Sequence, residues 1–215
     1  MVIKVIYKKG LKQIVDCIFA IVGLVVSSPL FLLLIICIKL DSKGPVLFKQ
    51  RRIGKGKKEF YILKFRTMRI DTPKDMPTHL LEDPEMYITK VGKFLRKTSL
   101  DELPQIINII KGEMSIIGPR PALWNQYDLI KERDKYGAND VTPGLTGWAQ
   151  INGRDELPID VKAKLDGEYV EKLSPLFDLK VFFMTIKSVL KSEGVKEGKN
   201  NSNERNSEKR KEASS

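Results

Sequence analysis

Thr98-Ser-Leu-Asp-Glu-Leu-Pro-Gln-Ile-Ile-Asn-Ile-Ile-Lys-Gly-Glu-Met-Ser-Ile-Ile-Gly-Pro-Arg-Pro121 is the stretch around which the chain is organised. Two adjacent carboxylates, Asp101 and Glu102, lead into a predicted helix. Its apolar residues Leu103, Ile106, Ile107 and Ile110 follow the i, i+3, i+4, i+7 spacing of one buried stripe. Gly112 is the expected helix stop. Gly118-Pro119-Arg120-Pro121 follows, its prolines stiffening the backbone around one guanidinium.

The acidic pair has two readings. Ser99 with Glu102 three residues later fits a capping box, and acidic residues in a first turn suit the helix dipole. Against this stands the neighbourhood: Arg96 and Lys97 lie just upstream, and Arg120 just downstream. Carboxylates able to hold Mg²⁺ beside groups able to hold phosphate make a phosphoryl-transfer constellation.

The length of 215 residues fits one globular domain with attachments, and the formal charge of +11 points to an anionic partner. That partner could be nucleic acid, a phosphorylated substrate or an anionic membrane surface. Cys17 and Cys37 sit inside a hydrophobic run and read as buried apolar side chains, not as disulfide partners or metal ligands. A serine–histidine triad or a histidine-rich zinc site would depend on the single histidine, His79, so carboxylates and cations must carry any chemistry. There is no Walker A sequence, and Gly54-Lys55-Gly56 is too short for a dinucleotide fingerprint.

Cys17 to Ile38 is a run of 22 residues without a charge. As a helix it covers ~33 Å, about one hydrocarbon core. It is too long for a signal-peptide core, and no small-residue cleavage site follows. A spanning helix is the simplest reading, but Ser27-Ser28-Pro29 falls at the centre and both flanks are basic. Lys4, Lys8, Lys9 and Lys12 precede the run, and Lys39, Lys43, Lys49, Arg51 and Arg52 follow it. The positive-inside rule places both ends in the cytoplasm. A helix that breaks at Ser28-Pro29, dips in and returns satisfies both features, with serine hydroxyls bonding carbonyls freed by the proline. Asp16 and Lys39 bracket the segment at the interface.

Val46-Leu47-Phe48 and Phe60-Tyr61-Ile62-Leu63 read as short strands joined through a Gly54-Lys55-Gly56 turn. Lys64 and Arg66 alternate with Phe65, which aims both away from a buried ring and toward a site. Residues 71–88 read as a loop or short irregular helices. Leu123 to Tyr136 reads as a surface helix with solvated charges. Thr142 to Arg154 is a Gly-rich loop in which Trp148 is a core residue. Residues 159–173 and 175–192 are predicted helices. The second carries the stripe Leu176, Leu179, Phe183, Ile186 and Leu190, suited to a core or to a membrane surface.

Five motifs together resemble the bacterial monotopic phosphoglycosyl transferases, which initiate capsule, exopolysaccharide and glycoprotein glycan assembly. They are Pro45-Val-Leu-Phe-Lys-Gln50, Lys64-Phe-Arg-Thr-Met68 and Arg96-Lys-Thr-Ser-Leu-Asp-Glu-Leu-Pro-Gln105, then Gly112-Glu-Met-Ser-Ile-Ile-Gly-Pro-Arg-Pro121 and Pro143-Gly-Leu-Thr-Gly-Trp-Ala-Gln-Ile-Asn-Gly-Arg154. The resemblance covers about residues 11 to 193, and the chain looks like the minimal form. Pro121-Ala-Leu-Trp-Asn-Gln126 is similar to the capsule enzymes.

The resemblance implies a fold that is α+β and mainly helical. It has an N-terminal re-entrant membrane helix–break–helix with the break at Ser28 and Pro29, a small β-hairpin, and amphipathic helices at the membrane interface. Residues 1–43 are then the membrane-associated part and 44–192 the cytoplasmic catalytic domain; residues 193–215, polar and mixed in charge, read from their composition as a disordered polar tail. The implied reaction moves a sugar-1-phosphate from a UDP-sugar to polyprenyl (undecaprenyl) phosphate and releases UMP. It runs at the cytoplasmic face of the bacterial inner membrane. Asp101 matches the family's nucleophile, which forms a covalent phosphosugar intermediate; Glu102 assists the metal or proton transfer. Mg²⁺ is the implied cofactor, with Asp101 and Glu102 its protein ligands. Lys64, Arg96, Arg120 and Arg154 are candidates to hold phosphate oxygens.

Asp166 matches a further acidic position of the family, although Leu165-Asp-Gly-Glu-Tyr169 departs from the usual tyrosine-rich run. The implied partners are the UDP-sugar, polyprenyl phosphate and the lipid bilayer, without nucleic acid. Downstream glycosyltransferases and a homo-oligomer are compatible with it. Two rivals remain at the level of sequence: a basic membrane-anchored protein that binds nucleic acid or anionic lipid without catalysis, and a transferase that releases UDP.

Overall fold

The computed structural model describes residues 5–72, 84–153 and 157–190. The apolar run forms one long helix, α1 (Lys12–Asp41), with Pro29 inside it. The two legs expected on either side of Ser28-Pro29 are therefore carried as a single helix. A proline at position 29 cannot donate to the carbonyl of Val25. Ser28 Oγ donates to that oxygen at 2.8 Å, and Ser27 Oγ to Gly23 O at 2.6 Å.

Both ends of α1 rest on the same body. Near its start Ala20 joins a buried cluster with Phe60, Ile62, Ile109 and Met114, and near its end Leu34 and Ile38 join Phe65 and Leu95. Asp16, expected at the interface, is buried instead, ion-paired to Lys12 at 3.3 Å and bonded by Ser115 Oγ. The opposite face, including Ile14, Ile18, Val22, Val26, Leu33 and Leu40, is exposed and apolar.

Strands β1 (Leu47–Ile53) and β2 (Glu59–Phe65) form an antiparallel hairpin, each longer than expected, with Phe48 opposite Lys64 and Arg51 opposite Tyr61. Helix α2 (Lys90–Thr98) is capped by Thr89 Oγ1, which accepts from Gly92 N at 2.9 Å. It ends at Ser99, whose φ of 57° places it in the left-handed region. The single helix expected from Asp101 is thus divided into a 3₁₀ turn (Leu100–Glu102) and α3 (Gln105–Ile110). Ser99 makes no side-chain cap there, so the expected capping box is not formed. The fully buried residues of α3 are Gln105, Asn108 and Ile109; of the predicted stripe, Ile106 and Ile110 pack half-buried against the Ile109 cluster and Leu103 against the Leu95 cluster. Gly112 closes the helix with φ 78° as expected.

Two short strands were not anticipated. β3 (Ser115–Ile117) and β4 (Gly144–Thr146) pair in parallel. Between them α4 (Tyr127–Asp134) is shorter than predicted and buries Arg133, contrary to the expectation of solvated charges. After β4 come α5 (Trp148–Ile151), α6 (Ile159–Lys172) and α7 (Pro175–Leu190). On α7 the core side carries Asp178 and Val181, whereas Leu176, Leu179, Phe183 and Ile186 are exposed. Of the two faces open to that stripe in sequence, it takes the outward one.

Candidate active site

The acidic pair lies on the 3₁₀ turn because Ser99 reverses the chain after α2 and Pro104 starts α3. Three elements converge on it. From the end of β2, Lys64 Nζ donates to Glu102 Oε1 at 2.7 Å and stands 3.9 Å from Asp101 Oδ2. From the loop after β3, Arg120 donates to both Glu102 oxygens, at 2.7 and 3.5 Å. From α2, Arg96 donates through Nε to Thr67 Oγ1 at 2.9 Å and adds positive potential at Asp101.

The Arg120 loop is held by backbone pairing. Gly118 N donates to Thr146 O and Gly144 N to Pro119 O, both at 2.9 Å. A Cβ on Gly118 would lie 2.6 Å from Thr142 O, and one on Gly144 would lie 2.1 Å from Gly118 N. Only glycines permit this approach, which explains the Gly-rich stretch as a seat for the arginine loop.

The two carboxylates differ. Burial alone would raise the Glu102 pKa, but Arg120 and Lys64 outweigh it and hold the group well below the usual carboxylate range. Burial raises Asp101 above its ordinary value, against the pull of Lys64 and with a further push from Glu102. Among the described residues no hydrogen bond ties the Asp101 carboxylate down. One carboxylate is thus locked between two cations, and its neighbour is available beside them. Such a site can offer an anionic oxygen to an electrophile whose own negative charge the cations accept.

A family model described as "Bacterial sugar transferase" matches residues 7–192. The chain belongs to this family. The sugar transferase is 42% identical over 187 residues to the uncharacterised sugar transferase EpsL of Bacillus subtilis, covering 87% of this chain and 91% of that one. It is 41% identical over 185 residues to the UDP-glucose:undecaprenyl-phosphate glucose-1-phosphate transferase of Escherichia coli, covering 82% of this chain but 39% of that longer protein. With the exopolysaccharide production protein ExoY of Sinorhizobium fredii it shares 38% over 197 residues, 85% of this chain and 87% of the other.

Of the residues expected at the site, Asp101, Glu102, Lys64, Arg96 and Arg120 come together in the sugar transferase, and Arg154 lies outside the described residues. Asp166 lies behind the site. It is buried, and Arg133 donates to it at 2.8 and 2.5 Å while also donating to Arg120 O at 3.0 Å. Arg66, read toward the site, is also elsewhere: its guanidinium donates to the Ser42 and Lys43 carbonyls just beyond α1.

Sequence reasoning missed a buried network as well. Asp178 accepts from Tyr7 OH and Lys12 Nζ, both at 2.7 Å, and from Tyr169 OH at 2.8 Å, tying the start of α1 to α6 and α7. The only local signal was a single aspartate, the one acidic residue of α7.

Proposed function

We propose that this transferase moves a sugar-1-phosphate from a UDP-sugar to polyprenyl phosphate and releases UMP, through a covalent intermediate on Asp101. The observation that supports this most is the asymmetry of the acidic pair, with Glu102 bound by Lys64 and Arg120 and Asp101 beside them without a hydrogen bond among the described residues. In the first step an Asp101 oxygen bonds to the β-phosphorus and the bond from that phosphorus to the bridging oxygen breaks. UMP leaves with that oxygen and its electron pair. In the second step a polyprenyl phosphate oxygen attacks the same phosphorus, and the acyl phosphate bond breaks to restore the carboxylate. Lys64, Arg96, Arg120 and Arg154 hold phosphate oxygens.

Among the described residues no third aspartate, glutamate, histidine or cysteine joins the pair. Two carboxylates, with water and substrate phosphates completing the shell, are a donor set that suits Mg²⁺. Asp101 and Glu102 would hold it, and when bound it would neutralise charge on the diphosphate.

The outward apolar faces of α1 and α7 support attachment to a bilayer. With both ends of α1 on one body, a re-entrant path at the cytoplasmic face of the inner membrane is the reading we adopt. The test is turnover with a panel of UDP-sugars and undecaprenyl phosphate, analysed for nucleotide. UMP from at least one sugar is expected; UDP instead, or no nucleotide from any, would overturn the reaction.

A further inference from the structure

Asn108 is fully buried in α3, and every hydrogen-bonding atom of its side-chain amide is used. Its Oδ1 accepts from Leu63 N at 3.0 Å, while its Nδ2 donates to Tyr61 O at 2.8 Å and to Glu113 Oε2 at 2.7 Å. Two acceptors face the nitrogen and one donor faces the oxygen, so the network itself fixes the amide orientation.

Tyr61 O and Leu63 N belong to the edge of β2 that is not paired with β1. One amide satisfying the carbonyl of one residue and the N–H of the second residue on does what a single residue of a parallel neighbouring strand does. Asn108 therefore stands in for a missing strand on that edge. It does so at one point only, immediately before Lys64.

The position matters because α3 continues directly from the turn that bears the acidic pair. A closed ring runs from Glu102 to Lys64 Nζ, back along Lys64 to Leu63, across to Asn108 and through α3 to Glu102. Asn108 also reaches toward the second cation. Its main-chain oxygen accepts from Glu113 N at 3.0 Å and Met114 N at 3.2 Å, which aligns the chain as it enters β3 and the Arg120 loop.

We propose that Asn108 is a positioning residue that sets the distance at which β2 presents Lys64 to Glu102 and the reacting phosphate. This inference rests on the transferase reading above. It assigns no direct contact with substrate.

The test is a double-mutant cycle with Asn108→Ala and Lys64→Met, read in UMP release as kcat/KM and in thermal unfolding of the full chain in detergent. Asn108→Ala is expected to lower kcat/KM by about tenfold or more, and the double variant to match Lys64→Met within about twofold. In unfolding, the double variant is expected to lose clearly less Tm than the two single losses summed. Multiplying rate effects, or fully additive Tm losses, would overturn the inference. The unfolding cycle needs no substrate, so it decides the inference even if the wild-type chain releases no UMP, which would sink the transferase reading alone. Should Asn108→Ala not fold, Glu113→Ala, which removes one partner of the amide and leaves both strand bonds, must show the same non-additivity with Lys64→Met at smaller amplitude.

Discussion

Arg133 bonds Asp166 on one side and the main-chain oxygen of Arg120 on the other, joining a buried carboxylate on α6 to the loop that supplies a cation to the acidic pair. Asp166 is 1% exposed, so removing it strands a buried guanidinium. Asp166→Ala is expected to cost about 3–5 kcal/mol of stability. Activity should fall even at temperatures where the variant stays folded, because Arg120 loses its rear support. Thermal unfolding measured beside turnover checks both. A variant with normal stability and normal turnover would refute this role.

Asp101→Asn keeps the shape of the side chain and removes its nucleophilic charge. UDP-sugar alone, without polyprenyl phosphate, should label the wild-type chain with a phosphosugar that hydroxylamine releases. The variant should show neither label nor turnover while unfolding at nearly the wild-type temperature. An active Asp101→Asn enzyme ends the covalent mechanism. Glu102→Gln is expected to slow the enzyme, since it weakens the hold on Lys64 and Arg120.

As the proposed nucleophile Asp101 must be ionised, and burial raises its pKa above the ordinary value of 3.8. The acid limb of UMP release should therefore lie above that value. Lys64 is the largest influence pulling the Asp101 pKa down, so Lys64→Met should move the limb to higher pH. A limb that stays put or moves down in this variant would contradict the assignment. Rates measured across pH at saturating UDP-sugar decide it.

The proposed re-entrant path places both ends of α1 on the cytoplasmic side. Cysteine introduced as Lys4→Cys should resist membrane-impermeant reagents in intact cells and react after lysis. Labelling from outside would remove the re-entrant path. Pro29→Leu restores the missing backbone donor and should push the segment toward spanning.

The sequence reading went furthest where local pattern carries the information. Lys64 was legible because it alternates with the buried Phe65. The same alternation misled for Arg66, since it fixes the side a residue faces and not what lies there. The carbonyls just past α1 need donors, and they take that guanidinium. Arg133 looked solvated because its partner is 33 positions away in the chain. Asn108 and Gln105 sit among isoleucines, and a stripe analysis weighs only apolar positions, so two fully buried amides passed unread. The β3–β4 pair is three residues long on each side and wholly non-local, which leaves no periodicity to detect.

The way α1 is fastened bears on how the chain can be divided. Ala20, Leu34 and Ile38 fill two interior clusters together with Phe60, Ile62, Phe65 and Leu95 of the part that follows Gly44. Cutting the chain at that glycine would not release a soluble enzyme. It would open both clusters to water and remove the Ser42 and Lys43 carbonyls that hold Arg66. The apolar helix is a wall of the folded body, so removing it removes part of the core itself.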